Sequence, residues 1–111
     1  MTITWDEFEK VEIQVGTIIE VRDFPKARKP AYQLRIDFGA STGVLWSSAQ
    51  ITKRYSQEDL LGKQVLAVVN FPAKQIANFI SDCLVLGVMG TDGDVVLVRP
   101  DLPVENGLRL G

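Results

Sequence analysis

The sequence lacks histidine entirely and has one cysteine among its 111 residues, and these absences restrict its chemistry. Histidine is the commonest general base and metal ligand, so Ser-His and Cys-His catalytic pairs are excluded. One thiol without histidine leaves a zinc ion almost no ligands, and it cannot form an intrachain disulfide. Nucleotide-binding motifs of the GxxxxGK[ST] and GxGxxG types are also missing. Carboxylate-only chemistry remains open in principle, but the acidic residues are scattered along the chain, mostly at caps and turns. The sequence therefore predicts a binding protein that is not an enzyme and uses no metal or cofactor.

Long apolar runs are absent as well. No stretch approaches the roughly 20 apolar residues of a membrane-spanning helix. The N-terminal MTITWDEFEK is acidic and has neither the basic start nor the apolar middle of a signal peptide. The single Cys83 lies in the apolar run CLVLGVM, which is typical of a buried structural thiol. We therefore expect a cytoplasmic protein without membrane insertion, folded as a single domain over residues 1–111.

Positive charge is unevenly distributed along a chain whose net charge is −2. Between Arg22 and Arg54 there are seven basic and two acidic residues, whereas the remainder has five basic and twelve acidic ones. Such segregation can produce a basic face on an acidic protein, a feature of nucleic-acid binding. The alternative is that these side chains are merely solvated, and the sequence alone leaves both interpretations open.

Alternating apolar and polar residues predict strands at 11–21 and 32–38. Gly16 interrupts the first pattern and the apolar phase shifts after it, which predicts a bulge or sharp bend there. Apolar runs predict further strands at 44–50, 63–71 and 83–89, and the turn Thr91-Asp92-Gly93-Asp94 predicts a final hairpin.

Helix signals are few and short. Thr4 and Glu7 fit a capping box before a short N-terminal helix. Ser56, Asp59 and Gly62 predict one or two helical turns between the third and fourth strands. This order of elements predicts an all-β fold with short helices, a five-stranded OB-fold barrel with a core at about 11–89.

The extensions at 1–10 and 90–111 carry more large apolar side chains than the outside of a small barrel needs. They could wrap their own barrel or pack on a second copy, and an isologous homodimer is the commonest solution. The predicted dimer interface contains Trp5, Phe8, Leu102, Val104, Leu108 and Leu110.

The segment NFPAKQIANFISD, residues 70–82, connects the last two predicted barrel strands and is unusually apolar for a connection. This connection is a frequent ligand rim of OB-folds. Its large side chains could plug the end of the barrel, or they could line an apolar pocket with a cationic rim. The predicted peptide-binding residues are Trp46, Phe71, Pro72, Ile76, Phe79 and Ile80.

Several segments resemble the tRNA-binding domain family, OB-folds that occur alone and appended to aminoacyl-tRNA synthetases. These segments are VEIQVGTIIEV, DFPKARKPAYQLRIDFG and SSAQITKRYSQEDLLGKQVLAVVNF, and the similarity covers roughly residues 8–89. Within this family, RKPAYQLRIDFG, SSAQIT, the PAKQI loop and the tail PVENGLRLG are similar to bacterial export-related chaperones, which are homodimers.

The resemblance implies a chaperone that binds unfolded or precursor polypeptides for export, dimerises through its terminal extensions, and has SecA as a further partner to be tested. The alternative is a tRNA-binding protein. The basic segment supplies four candidates for this alternative, and the resemblance adds three from the 70–82 connection. The seven are Arg28, Lys29, Lys53, Arg54, Asn70, Lys74 and Ser81.

Overall fold

Five antiparallel strands form a nearly closed barrel in the computed structural model, which describes residues 1–111. In chain order the elements are α1 (Trp5–Glu9), β1 (Ile13–Asp23), β2 (Tyr32–Asp37), α2 (Gly39–Thr42), β3 (Val44–Ala49), α3 (Gln57–Leu60), β4 (Gln64–Val68), β5 (Lys74–Ile76), β6 (Phe79–Ser81), β7 (Leu84–Val85), β8 (Gly87–Met89), a 3-10 turn (Thr91–Gly93) and β9 (Val95–Leu97). The barrel order is β3-β2-β1-β4-β7, and β5–β6 and β8–β9 are separate hairpins. With α3 between the third and fourth barrel strands, this confirms the predicted OB-fold.

Both predicted helix starts are capping boxes. Thr4 Oγ1 accepts from the Glu7 backbone N–H at 3.1 Å, and Ser56 Oγ accepts from that of Asp59 at 3.2 Å. The hydrogen bonds from Ser56 also lower the pKa of the Asp59 carboxyl. Because a capping box depends on residues three apart, it can be recognised from sequence alone.

The predicted position of the bulge in β1 is wrong. The register of β1 against β2 shifts between Ile18 and Glu20, while Gly16 continues to pair regularly with Val65 of β4. Gly16 is required for space, since a Cβ there would lie 2.6 Å from Ile36 Cγ2 and 2.7 Å from the Phe38 ring. A glycine needed for close packing and one needed for a bulge look the same in a sequence.

Two apolar clusters hold the barrel together. The main core lies inside it and includes fully buried Ile18, Ile36, Phe38 and Val65, with Leu60 contributed by α3. The second cluster lies on the outer face of the β1–β4 pair and consists of Ile13, Val15, Leu66 and Val68, covered in part by Leu86 and Val98. Successive side chains of a strand point to opposite faces, and residues of the two clusters alternate along β4. Both faces of this pair are therefore apolar.

Two predicted segments differ from the structure. The connection at 70–82, for which no strand was predicted, contains the β5–β6 hairpin, with Ile76 paired to Phe79. The apolar run at 83–89 is not one strand, since it divides at Leu86. The Leu86 N–H donates to the Leu66 carbonyl and its own carbonyl accepts from Val98, so the chain leaves the barrel there for the β8–β9 hairpin.

The C-terminal tail lies along its own barrel. The Gly107 N–H donates to the Val15 carbonyl at 2.8 Å and the Leu110 N–H donates to that of Ile13 at 2.9 Å. The tail thereby covers the part of β1 that β2 does not reach, and Arg109 connects it to α1 by donating to the Glu9 carbonyl. An uncovered edge would expose backbone groups to other chains.

None of the helices combines the length and apolar composition needed to cross a membrane.

Candidate functional site: a cationic groove

Two adjoining clefts open beside the end of β3. The first, of about 480 Å³, lies between the β1–β2 loop and the β5–β6 hairpin. The second, of about 630 Å³, lies between residues 49–53 and the β7–β9 region. Lys29, Ser48 and Gln50 line both clefts, so the two form one continuous depression, which we call the groove.

The rim of the groove is cationic. Lys26, Arg28 and Lys29 border the first cleft, and none of them belongs to any of the three ion pairs of the structure. Lys53 borders the second cleft and donates to the backbone carbonyl of Asp92, whose own carboxylate is the only one along the groove. Clustered cations in a depression concentrate the electrostatic field, so the groove attracts anionic groups.

The walls of the groove are largely apolar. Ala31, Ile76 and Ala77 line the first cleft, and the second contains five larger apolar side chains. These five are Ile51, Leu84, Val85, Met89 and Val95. An apolar surface beside cations is suited to a ligand that has both apolar and anionic parts.

An aromatic cluster fixes the β5–β6 hairpin beside the first cleft. Phe79 packs edge-on against Phe24 at a centroid distance of 5.4 Å and against Trp46 at 5.9 Å. The Arg22 guanidinium lies 4.9 Å from the centroid of the Trp46 ring. These geometries are favourable for aromatic pairs and for a cation over an indole. The cluster therefore holds the hairpin to β3 and the β1–β2 loop.

The structure divides the predicted peptide-binding residues into three groups. Ile76 lines the first cleft, whereas Trp46 and Phe79 lie in the aromatic cluster. Phe71, Pro72 and Ile80 line neither cleft and are exposed to solvent. Ile80 lies on the opposite face of the hairpin from Phe79.

The charged nucleic-acid candidates also separate. Arg28, Lys29 and Lys53 border the groove, and Lys74 is exposed on β5 outside both clefts. Arg54 instead donates two hydrogen bonds to the Asp94 carboxylate, at 2.5 and 2.9 Å. The Arg54 guanidinium lowers the pKa of the Asp94 carboxyl, and the pair joins residues 52–55 to the β8–β9 hairpin.

The two neutral candidates have intramolecular partners. Asn70 accepts from the Glu12 N–H at 3.0 Å and donates to the Lys10 carbonyl at 2.7 Å, which connects the end of β4 to the N-terminal segment. Ser81 is buried, and its Oγ accepts from the Ser48 N–H at 3.1 Å and donates to the Cys83 carbonyl at 3.3 Å.

Sequence reasoning did not select Lys26, Ser48 and Gln50, although all three line the groove. Lys26 could have been included as part of the basic segment. Ser48 and Gln50 carry no sequence signal, because their place in the groove depends on how β3 meets the hairpins. The structure contains no cluster of three or more metal-ligating side chains.

Comparison with known proteins identifies the class. Residues 13–109 match a family described as "Putative tRNA binding domain". The chain therefore belongs to the tRNA-binding domain family, as its segments indicated.

Among solved structures, the chain is similar to two CsaA chaperones. The chaperone CsaA from Bacillus anthracis str. Ames is 45% identical with a TM-score of 0.95, and 100% of both chains is covered. The CsaA chaperone protein from Picrophilus torridus is 51% identical with a TM-score of 0.92, covering 99% of this chain and 100% of that one. A MetRS-related protein from Pyrococcus horikoshii is 25% identical with a TM-score of 0.87, covering 100% and 99%.

Curated relatives include methionine–tRNA ligases. That of Chlorobium phaeobacteroides is 37% identical over 108 residues, which is 97% of this chain and 15% of the ligase. That of Bacteroides fragilis strain ATCC 25285 is 34% identical over 105 residues, 95% of this chain and again 15% of the ligase. The chain thus spans about 15% of the length of these relatives.

Proposed function

We propose that this chain is a non-catalytic chaperone of the CsaA type, which binds segments of unfolded or precursor polypeptide in the groove before export from the cytoplasm. The observation that carries the proposal is the continuity of the two clefts, which puts apolar walls and a cationic rim on one surface. Full-length similarity to two CsaA chaperones supports it. We further propose SecA as an export partner, which a direct binding measurement between the two proteins tests.

The composition of the groove suits loose selectivity. Each large apolar side chain that a client buries contributes about 1.5–3 kcal/mol before the costs of ordering the client are subtracted. We therefore expect modest affinity for many sequences, as a chaperone requires.

The β5–β6 hairpin offers a matched pair of variants to test the groove. Ile76 lines the first cleft, while Ile80 lies on the other face of the same hairpin and is 49% exposed. Ile76→Ala should weaken binding of labelled, reduced and carboxymethylated α-lactalbumin about five- to tenfold, because a client loses roughly 1 kcal/mol of apolar burial. Ile80→Ala should bind like the parent. Fluorescence anisotropy measures both affinities.

Circular dichroism of each variant verifies the fold. If Ile80→Ala loses affinity and Ile76→Ala does not, the binding surface is the outer face of the hairpin, with Phe71 and Pro72, and the groove proposal is wrong.

A second candidate function is tRNA binding through the same groove. The observation that favours it is the set of unpaired cations Lys26, Arg28 and Lys29 on one side of the first cleft. Such a set can contact successive phosphates of a folded RNA. The family and the similarity to methionine–tRNA ligases support it.

We also propose that the working unit is a homodimer whose interface contains the apolar ends of the chain. Trp5 is 84% exposed and Leu102 69% exposed, and Val104, Leu108 and Leu110 are exposed as well, whereas Phe8 is half-buried. Several large apolar side chains exposed near the two ends of a chain are typical of an unfilled interface.

Sedimentation velocity at micromolar concentration tests the dimer. The parent chain should sediment as a dimer, and the double variant Trp5→Glu/Leu102→Glu should sediment as a monomer, since two carboxylates would have to be desolvated in each half of the interface. Leu61→Glu, at a 59% exposed position following α3, is the control and should remain dimeric. A monomeric parent would refute the proposal.

A further inference from the structure

The side of β3 that faces away from β2 is only partly covered. The Trp46 carbonyl accepts from the Asp82 N–H at 2.8 Å, and the Ser48 N–H donates to Ser81 Oγ at 3.1 Å. Backbone groups of alternate residues point to the same side of a strand, so an extended Gln50, the residue directly after β3, directs its groups the same way. Coverage by the segment around Ser81 ends at the Ser48 N–H.

Beyond this point the sheet edge is open. Neither the N–H nor the carbonyl of Gln50 takes part in any hydrogen bond of the structure. Gln50 is exposed, so both groups are accessible to another chain, and an open strand edge is a template for a further strand. Ser48 and Gln50 both line both clefts, so this open edge lies within the groove.

We infer that a client polypeptide binds as an added β-strand along residues 48–50 of the groove. This inference rests on the proposed chaperone function and specifies how that function is performed. The Gln50 N–H would donate to a client carbonyl, while the carbonyls of Ser48 and Gln50 would accept from two client N–H groups two residues apart. The Ser48 carbonyl would use its second lone pair, since it already accepts from Ser47 Oγ at 3.4 Å. This is strand addition, in which main-chain hydrogen bonds provide affinity that does not depend on client sequence.

The chemistry of the edge favours a polypeptide over a nucleic acid. One N–H donor between two carbonyl acceptors matches the alternating main-chain groups of an extended peptide, whereas the RNA backbone offers only its 2′-hydroxyls as donors. In an added strand, successive side chains point to opposite faces. Client side chains on one face would contact apolar residues such as Ile51 and Ile76. Acidic client side chains on the other face would lie near Lys29 and Lys53. We therefore specify an extended segment with apolar and acidic side chains as the occupant.

Amide hydrogen exchange measured by NMR tests this directly. The probe is reduced and carboxymethylated α-lactalbumin, a chain that stays unfolded and is rich in carboxylates. At saturation, exchange of the Gln50 N–H should slow at least about tenfold, because a hydrogen-bonded amide must open before it exchanges. The N–H of Ala73 is the control: it lies outside both clefts, forms no hydrogen bond in the structure, and should exchange at an unchanged rate.

A backbone substitution gives an independent measurement. Gln50→Pro removes the N–H donor, whereas Gln50→Ala keeps it and removes only the side chain. Gln50→Pro should weaken client binding about tenfold, as expected for a lost hydrogen bond, and Gln50→Ala should remain within about twofold of the parent. Thermal unfolding of both variants verifies that they fold.

The outcomes separate the inference from the function on which it rests. If the client binds but Gln50 exchanges at its free rate, strand addition at this edge is wrong and the chaperone proposal stands. Equal client affinity of a folded Gln50→Pro variant and the parent overturns strand addition in the same way. If the parent chain does not bind the client at all, the chaperone function itself is wrong and strand addition is overturned with it.

Discussion

Cys83 in the native protein is expected to react with a thiol reagent at about pH 8 roughly a thousandfold more slowly than an ordinary exposed cysteine. Burial raises the pKa of the Cys83 thiol to about 12 from its usual 9.0, with a further contribution from Asp82. The thiolate is the reactive form, so its fraction falls from about one in ten to about one in ten thousand. The thiol is also directed inward, because its Sγ lies 3.7 Å from the Trp46 carbonyl.

The measurement is the rate of reaction with a chromogenic disulfide reagent, with and without urea. The unfolded chain is the control and should react at the ordinary rate. Rapid reaction of the fully folded protein would show that Cys83 is accessible and ionisable, and would contradict its burial in the barrel core.

The same shift gives stability a defined dependence on pH. Above about pH 9 the thiol ionises in the unfolded chain but keeps its proton in the folded one, so the folded state binds more protons and the free energy of unfolding falls as pH rises. The loss should reach about 1.4 kcal/mol at about pH 10. The difference between the parent and Cys83→Ala in urea unfolding isolates this contribution from other titrating groups.

Reversal of three rim charges should reduce tRNA affinity about a hundredfold or more. Lys26, Arg28 and Lys29 line one side of the first cleft without ion-pair partners. Replacing all three with Glu removes roughly 1 kcal/mol of phosphate attraction per cation and adds repulsion. The salt dependence should become shallower by about 0.7–0.9 per lost contact.

A control with the same net charge carries Lys10→Glu, Arg35→Glu and Arg99→Glu, because these three residues line neither cleft. Filter binding of labelled tRNA at about 50 and about 200 mM salt measures both variants. Equal losses in the two variants would mean that tRNA responds only to overall charge and that the groove is not its site.

The same pair of variants compares the two candidate functions. A client held mainly by apolar contacts and main-chain hydrogen bonds, with only some acidic side chains near the rim, should lose less affinity than tRNA on charge reversal and should respond less steeply to salt. If the affinity for the client falls as steeply with salt as the affinity for tRNA, the proposed apolar contribution to client binding is wrong.

Much of the fold was predictable because it is specified locally. The capping boxes at Thr4 and Ser56 involve residues three apart, and the alternation at 32–38 fixes which side chains face the core. The order of the elements then allowed the OB-fold to be predicted. Gly16 shows where local information ends. The sequence indicated that a glycine is required at this position, but it could not show that Ile36 and Phe38 leave no room for a Cβ there.

The candidate site was predictable only in part. The basic segment and the apolar connection were identified, and Arg28, Lys29 and Ile76 do meet in one cleft. The sequence could not show that Phe79 packs against Phe24 and Trp46, or that Asn70 and Ser81 have intramolecular partners. These contacts join residues far apart in the chain, and each depends on the barrel being closed.

The sequence by itself determined a domain with no histidine and one cysteine, a barrel of alternating strands, and a family to which the chain belongs. Only the tertiary structure decided where that barrel is open. Gln50 follows β3, and the sequence around it carries no motif that marks a binding site. In the structure, however, its backbone N–H and carbonyl are unpaired in a groove bordered by Lys29. The reason is physical, because composition and periodicity specify what a strand buries, whereas an unpaired edge results from which distant segments reach it.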